Sequence, residues 1–307
     1  MRLDRKHLLS TLLFGAAVIH SQYAIAQQEM VEDNGINAFR NTININCQTT
    51  TTIAPRSFEF QIRHRFGSLK PDKSIITDFF GFDATANIQF IFDMALGKNN
   101  MITVGRLKTD KTFKLGIKRV FLKQVEDNIT PISLSVYSDV SIKTTPFNKI
   151  PPYTFFEDSV TPFKNKFAHR LQYLSQLIIS KNVNGLLSLQ LSPTLIYQNL
   201  VDINESNLSF AIPFSAAIKT GIFTSIIFEY SYLINYKTEN ELYPLSIGLE
   251  FGTAGHVFQI IASSTAGLSE TEIYSSSPLN YNRGEFLLGF NIRRTFVKKL
   301  KTKTPTN

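Results

Sequence analysis

The stretch SFEFQIRHRF (57–66) alternates without a break. Phe58, Phe60, Ile62, His64 and Phe66 fall on one phase, and Ser57, Glu59, Gln61, Arg63 and Arg65 on the other. A period of two places successive side chains on opposite faces of a β-strand, so each such segment is a two-faced strand. The pattern recurs along the chain. ANIQFIFDMAL (86–96), LLSLQLSPTLIYQ (186–198), NLSFAIPFSAAI (207–218) and EFLLGFNIRRTF (285–296) repeat it. Less regular strands are expected at about 100–106, 111–121, 131–143, 168–180, 222–234, 243–252 and 255–265. That makes about twelve strands from residue 56 onward, with NTININCQ (41–48) as a weaker candidate before them. Helical periodicity is convincing nowhere after the N-terminal leader, so the fold class is all-β.

The connections alternate too. The segments 67–85, 144–167, 199–206, 235–242 and 266–282 are long, whereas 181–184, 219–221 and 253–254 are tight turns. TDKT and 122–130 break the rule once on each side. Long loops at one end and short turns at the other are the habit of transmembrane barrels. An even strand number fits closure, which lipid demands because it cannot hydrogen-bond a free edge. The expectation is a closed antiparallel up-and-down transmembrane β-barrel over residues 56–296, with both barrel ends of the chain in the periplasm.

Alternation alone does not say which face is wet. A soluble barrel or sandwich would turn the apolar side inward. Three features favour lipid. The polar phase is rich in Ser, Thr, Gln, Gly and Asn, and Lys and Glu do not crowd it as on a soluble surface. The longer strands match the 9–11 residues needed for a tilted crossing. Aromatic residues gather near strand ends, where Tyr197, Tyr230, Tyr232, Tyr243 and Phe296 are candidates for interfacial girdles. Phe58, Phe60 and Ile62 are then read as lipid-facing, with His64 near an interface. Charged residues make up 18%, Phe numbers 26 and Trp is absent, which suits such a wall.

The ends supply an address. MRLDRKH is basic, LLSTLLFGAAVI is apolar but too short to span, and AIA (24–26) matches a small-x-small cleavage pattern. Residues 1–26 are read as a secretory signal cleaved after Ala26. No Cys closely follows the apolar run, so a lipoprotein is not expected. Residues 27–55 are read as an N-terminal periplasmic segment and 297–307 as a basic tail. The formal charge is +8, but an exported chain whose charge concentrates in VKKLKTK is not expected to meet nucleic acid. The single Cys47 excludes an internal disulfide. No cofactor or metal cluster is expected.

IRHRFG (62–67) followed by FGFDATANIQF (80–90), LSLQLSPTLIYQNLV (187–201), PLSIGLEFGTAGHVFQI (244–260) and GFNIRRTF (289–296) resembles an uncharacterised family of bacterial outer-membrane β-barrel proteins with an HRFG signature. The signature residues here are His64, Arg65, Phe66 and Gly67. The resemblance covers about 38–296 and implies a barrel in the outer membrane. It implies no catalytic residue. The chain departs from many outer-membrane proteins in that basic and polar residues follow its last strand; Phe296 stands where a terminal aromatic is usual.

The phase opposite the apolar one carries Glu59, Arg63, Arg65, Asp93, Lys114, Lys118, Asp139, Arg170, Glu229, Glu250, Glu285 and Arg293. These are read as lumen-lining, six basic and six acidic, so no ion preference follows. They serve either a polar channel for a small solute or a lumen plugged by its own ion pairs. A second reading gives the long loops a surface partner; PFNKIPPYTFFEDSVTPF (146–163) is the stickiest of them. A third is a barrel enzyme acting on lipid, for which His64, His169 and His256 are the available bases, none beside a Ser in a recognisable motif. His256 is expected at a tight turn beside Gly255. Asp83 and Asn87 of FGFDATAN make too weak a donor set for a cation. The sequons at 128–130 and 204–206 carry little meaning in a bacterium. Outer-membrane lipid and the barrel assembly machinery are the expected partners.

Overall fold

In the computed structural model the described residues are 35–71, 76–126, 129–147, 149–202, 205–234, 242–253, 255–275 and 278–297. The expected signal lies outside them, as does the expected tail after Val297. Thirteen strands follow one another: β1 (Ser57–Leu69), β2 (Asn87–Ala95), β3 (Asn100–Leu107), β4 (Phe113–Leu122), β5 (Ser133–Ile142), β6 (Leu171–Asn182), β7 (Leu187–Leu191), β8 (Thr194–Gln198), β9 (Leu208–Lys219), β10 (Thr224–Leu233), β11 (Leu245–Gly252), β12 (His256–Ser263) and β13 (Phe286–Val297). Each pairs antiparallel with its neighbours, and β13 pairs with β1 from Ser57↔Val297 to Leu69↔Phe286, which closes the ring.

The barrel has twelve staves, because β7 and β8 are halves of one. Both pair with β6 and with β9. Ile179↔Leu191 and Gln176↔Thr194 lie on one unbroken register across the interruption. The single strand expected over 186–198 is cut at Ser192–Pro193, where proline has no amide to give to the ladder. Neighbouring groups still bridge the cut: the Ser192 amide donates to Pro213 O at 2.9 Å, and Pro193 O accepts the Leu177 amide at 3.0 Å.

The barrel is apolar outside and polar inside. Arg63 and Arg65 are 1% and 0% exposed, whereas Phe92 and Ile260 are 47% and 59% exposed. Water would not tolerate that inversion and lipid requires it. Tyr173 and Tyr197 meet on the outer face near the long-loop end, as do Tyr230, Tyr232 and Tyr243. Phe58 stacks on Phe296 near the short-turn end, 4.7 Å apart. Among the described residues no helix is long and apolar enough to cross a membrane. Among the described residues one short α-helix, α1 (Glu270–Ile273), lies in the loop between β12 and β13.

Residues 35–55, expected within an N-terminal periplasmic segment with a possible short strand, pack against the inner wall of the barrel. Residues 38–39 and 41–51 are buried. NTININCQ forms bends with one isolated bridge, Ile43↔Gln48, instead of a strand. The reason is visible in its partners: its backbone bonds mainly to side chains of the surrounding wall, and so has no need of a neighbouring strand.

Candidate functional site

The barrel interior is built by the inward phase of the staves, and the segment 35–55 fills it. Glu229 on β10 is the anchor. Its Oε1 accepts the amides of Ile45 and Cys47 at 2.8 and 3.0 Å, and its Oε2 accepts the Asn46 amide at 2.8 Å. Successive main-chain N–H groups turned to one carboxylate form an anion-binding concavity. The next carbonyls run the other way. Asn44 O accepts Gln259 Nε2 at 2.9 Å and Arg293 Nη2 at 3.1 Å. Ile45 O accepts Arg63 Nη2 at 3.1 Å and Asn291 Nδ2 at 3.0 Å. Asn46 Oδ1 accepts from both Arg63 and Arg65, each at 2.9 Å. Lys118 Nζ reaches Thr42 O at 2.7 Å and Thr51 O at 3.2 Å.

The acidic wall residues are engaged as well. Glu59 and Asp93 stand opposite each other on β1 and β2. The Gln61 amide donates to both, at 2.9 and 2.7 Å, and the Thr42 hydroxyl donates to both from the inner segment. Glu250 accepts Asn41 Nδ2 and Gln259 Nε2 and pairs with Arg40 at 3.3 Å. A cleft of about 230 Å³ remains beside the segment, lined in part by Asn37, Arg40, Ser188, Lys219, Ser225 and Glu250.

A second insertion fills the interior from the long-loop end. Ser269 caps α1 by accepting the Glu272 amide at 3.3 Å. Buried Glu270 pairs with Lys114 at 3.1 Å, and Lys114 pairs with Asp139 at 2.9 Å. Ile273 and Tyr274 pack on an apolar patch of inward residues: Tyr137, Leu174, Ile178, Ile196, Ala211 and Leu233. The two insertions touch. Cys47 Sγ lies 3.4 Å from the Tyr274 hydroxyl. Burial pushes the Cys47 thiol well above its ordinary value, and the Glu229 carboxylate adds to the shift.

Of the residues expected on the lumen face, Glu59, Arg63, Arg65, Asp93, Lys114, Lys118, Asp139, Glu229, Glu250 and Arg293 are buried. Two are corrected. Glu285 precedes β13 and is half-buried in the loop, where it accepts the Asn280 amide at 3.2 Å. Arg170 precedes β6, donates to Lys143 O and Thr145 O, and lies on the Phe147 ring at 3.7 Å. Both stand one residue before their strand. Sequence reasoning missed the inner segment and Glu270. One signal was present: residues 41–52 carry no charge and are dense in Asn and Thr, side chains that both donate and accept.

His64, His169 and His256 make other contacts. His64 stacks on Phe290 on the outer face, His169 Nδ1 accepts the Lys166 amide at 3.2 Å, and His256 stacks near Phe258 at the start of β12. Gly255, at φ +117°, makes the tight turn before it. Asn87 is occupied by Ala266 O, Glu272 and Thr109, and among the described residues no group of His, Cys, Asp and Glu is placed to hold a metal ion.

His64 and Phe66 face outward, Arg65 faces inward, and Gly67 lets the next loop fold onto β1. A Cβ on Gly67 would come within 2.2 Å of Ala84 Cβ, and one on Gly81 within 2.5 Å of Gly67 O. Residues 39–296 match the family model of DUF5777, a membrane bound beta barrel domain. The chain belongs to this family. The match begins at residue 39, within the inner segment, so the segment and the barrel form one family domain. No curated relative matches significantly in sequence. Similar solved structures include the KdgM porin (7% identity, 78% of this chain and 99% of that one, TM-score 0.46) and the NanC porin (6% identity, 79% and 100%, TM-score 0.46). Outer membrane phospholipase A from Escherichia coli is another (11% identity, 79% and 91%, TM-score 0.40). None of these likenesses bears on what this chain does.

Proposed function

We propose that this DUF5777 member is an outer-membrane barrel that serves as a small-solute channel closed at rest by its own N-terminal segment. The observation that supports this is the way the segment is held. Its main chain engages the wall charges Glu229, Arg63, Arg293 and Lys118. Water can replace main-chain groups as a partner for such charges. Withdrawal of the segment would therefore leave a wet, charged bore, where an apolar plug would leave a wall that avoids water. The short-turn end then faces the periplasm, with the start of β1 and the end of β13 on that side, and the barrel assembly machinery inserts the chain.

The competing reading is an envelope structural barrel with a permanent plug, which the double filling from 35–55 and α1 favours. Planar-bilayer recording separates the two. The intact chain is expected to show little or no steady conductance. Removing residues 35–55 is expected to give open channels whose selectivity shifts when Arg63 or Glu250 is replaced. A truncated barrel that folds, shown by heat-modifiable mobility, and still conducts nothing would favour the structural reading. Surface binding by the loops remains a lesser proposal, and no arrangement around His64, His169 or His256 supports lipid hydrolysis.

A further inference from the structure

The outer face of β1 does not end at the strand. Phe290 stacks on His64 at 5.0 Å, His64 meets Phe66 at 4.4 Å, and Phe66 meets Phe82 edge-on at 4.3 Å. Phe82 continues to Phe79 at 5.7 Å and Phe79 to Phe80 at 6.0 Å. An unbroken line of rings thus runs from the lipid-facing wall onto the loop after β1. Phe79, Phe80 and Phe82 are 62%, 45% and 44% exposed. Phe79 and Phe80 both sit at positive φ, 42° and 57°, a region bulky residues rarely adopt. The loop is fastened at that height by the close approach of Gly81 and Ala84 to Gly67.

We infer that this loop is a membrane-interface anchor, with Phe79, Phe80 and Phe82 seated at the boundary between headgroups and acyl chains beside β1 and β13. Continuity with the wall selects lipid as the occupant. Barrels carry aromatic girdles at that depth, because a ring gains from leaving water without needing the hydrocarbon centre. Asp78 and Asp83 bracket the rings and are exposed, which keeps the loop at the boundary and out of the core. The fastening by Gly67 gives the signature glycine a purpose: it sets the depth of the rings. This inference rests on the membrane reading of the barrel and not on the channel reading.

The absence of Trp from the chain makes the test direct. Four single-Trp variants, Phe79→Trp, Phe80→Trp, Phe92→Trp and Tyr153→Trp, are refolded into phosphatidylcholine vesicles containing lipid brominated near the headgroup or deep in the chain. Phe92 is on the outer wall, and Tyr153 is 90% exposed in the loop between β5 and β6. Trp at 79 and 80 is expected to be quenched roughly twofold more by shallow than by deep bromine, and to be shielded from aqueous iodide. Trp at 153 should respond to iodide alone. If a variant fails to fold by heat-modifiable mobility, the other of the 79/80 pair decides. Quenching of 79 and 80 by iodide and not by bromine, with 92 quenched by bromine, overturns the anchor and leaves the membrane barrel standing. Shielding from both quenchers means a second copy of the chain covers the loop, and also overturns it. No bromine quenching at 92 would remove the membrane reading and the anchor with it.

Discussion

Glu229 accepts three consecutive main-chain amides of the inner segment, and each of those donors is buried with it. Removing the carboxylate orphans three N–H groups, and a buried donor without a partner costs about 1–3 kcal/mol. Glu229→Ala is therefore expected to lose about 2–4 kcal/mol in urea unfolding, within the range for broken buried networks. Glu229→Gln keeps an acceptor oxygen and should lose less. Gly67 is a second single-residue test. Gly67→Ala places a methyl against Ala84 and is expected to release the loop after β1. Faster proteolysis between residues 70 and 86, with the barrel still heat-modifiable, would be the readout. Much at this scale was legible. In β1 the phase of Glu59, Arg63 and Arg65 is imposed by the backbone, so their burial follows from their position in the alternation. Glu285 and Arg170, one residue before β13 and β6, are half-buried and bond to loop main chain instead.

At the scale of elements, the staves were legible and the fillings were not. β6 reads as irregular because Leu174 and Ile178 point inward while Ser175 points out. Those inward apolar residues receive Ile273 and Tyr274, a long-range fact that no local pattern announces. The inner segment alternates over 41–48 but makes no strand, since its partners are spread around the wall. Its mobility is measurable through its own thiol. The thiolate is the reactive form, and burial raises the Cys47 thiol well above its ordinary value. Alkylation of Cys47 in the folded barrel is expected to be slow at neutral pH and limited by withdrawal of the segment. Glu229→Ala should speed it by roughly tenfold or more, in line with a loss above 1.4 kcal/mol. Equal rates in the two proteins would mean the segment is not held by Glu229.

At the scale of the molecule, the twelve staves, the closure and the inverted polarity were all readable from alternation and loop lengths, because a membrane allows few other solutions. What fills the ring was not readable, for lipid constrains the outside of a barrel only. The contents of the bore answer instead to a match of donors and acceptors, such as Asn46 with Arg63 and Arg65. The absence of steady conductance from the intact chain is thus a prediction of the whole assembly and of no single element.

The grip on Asn44–Asn46 also has a temporal side. Arg63 belongs to the first stave synthesised and Asn291 and Arg293 to the last; Ile45 O bonds to Arg63 and Asn291, and Asn44 O to Arg293. The seam where the ring shuts is riveted from within by a segment that leaves the ribosome before any strand does. Its bonds are complete only once β13 is in place, so the earliest stretch of the barrel domain to be made is among the last to gain all its partners.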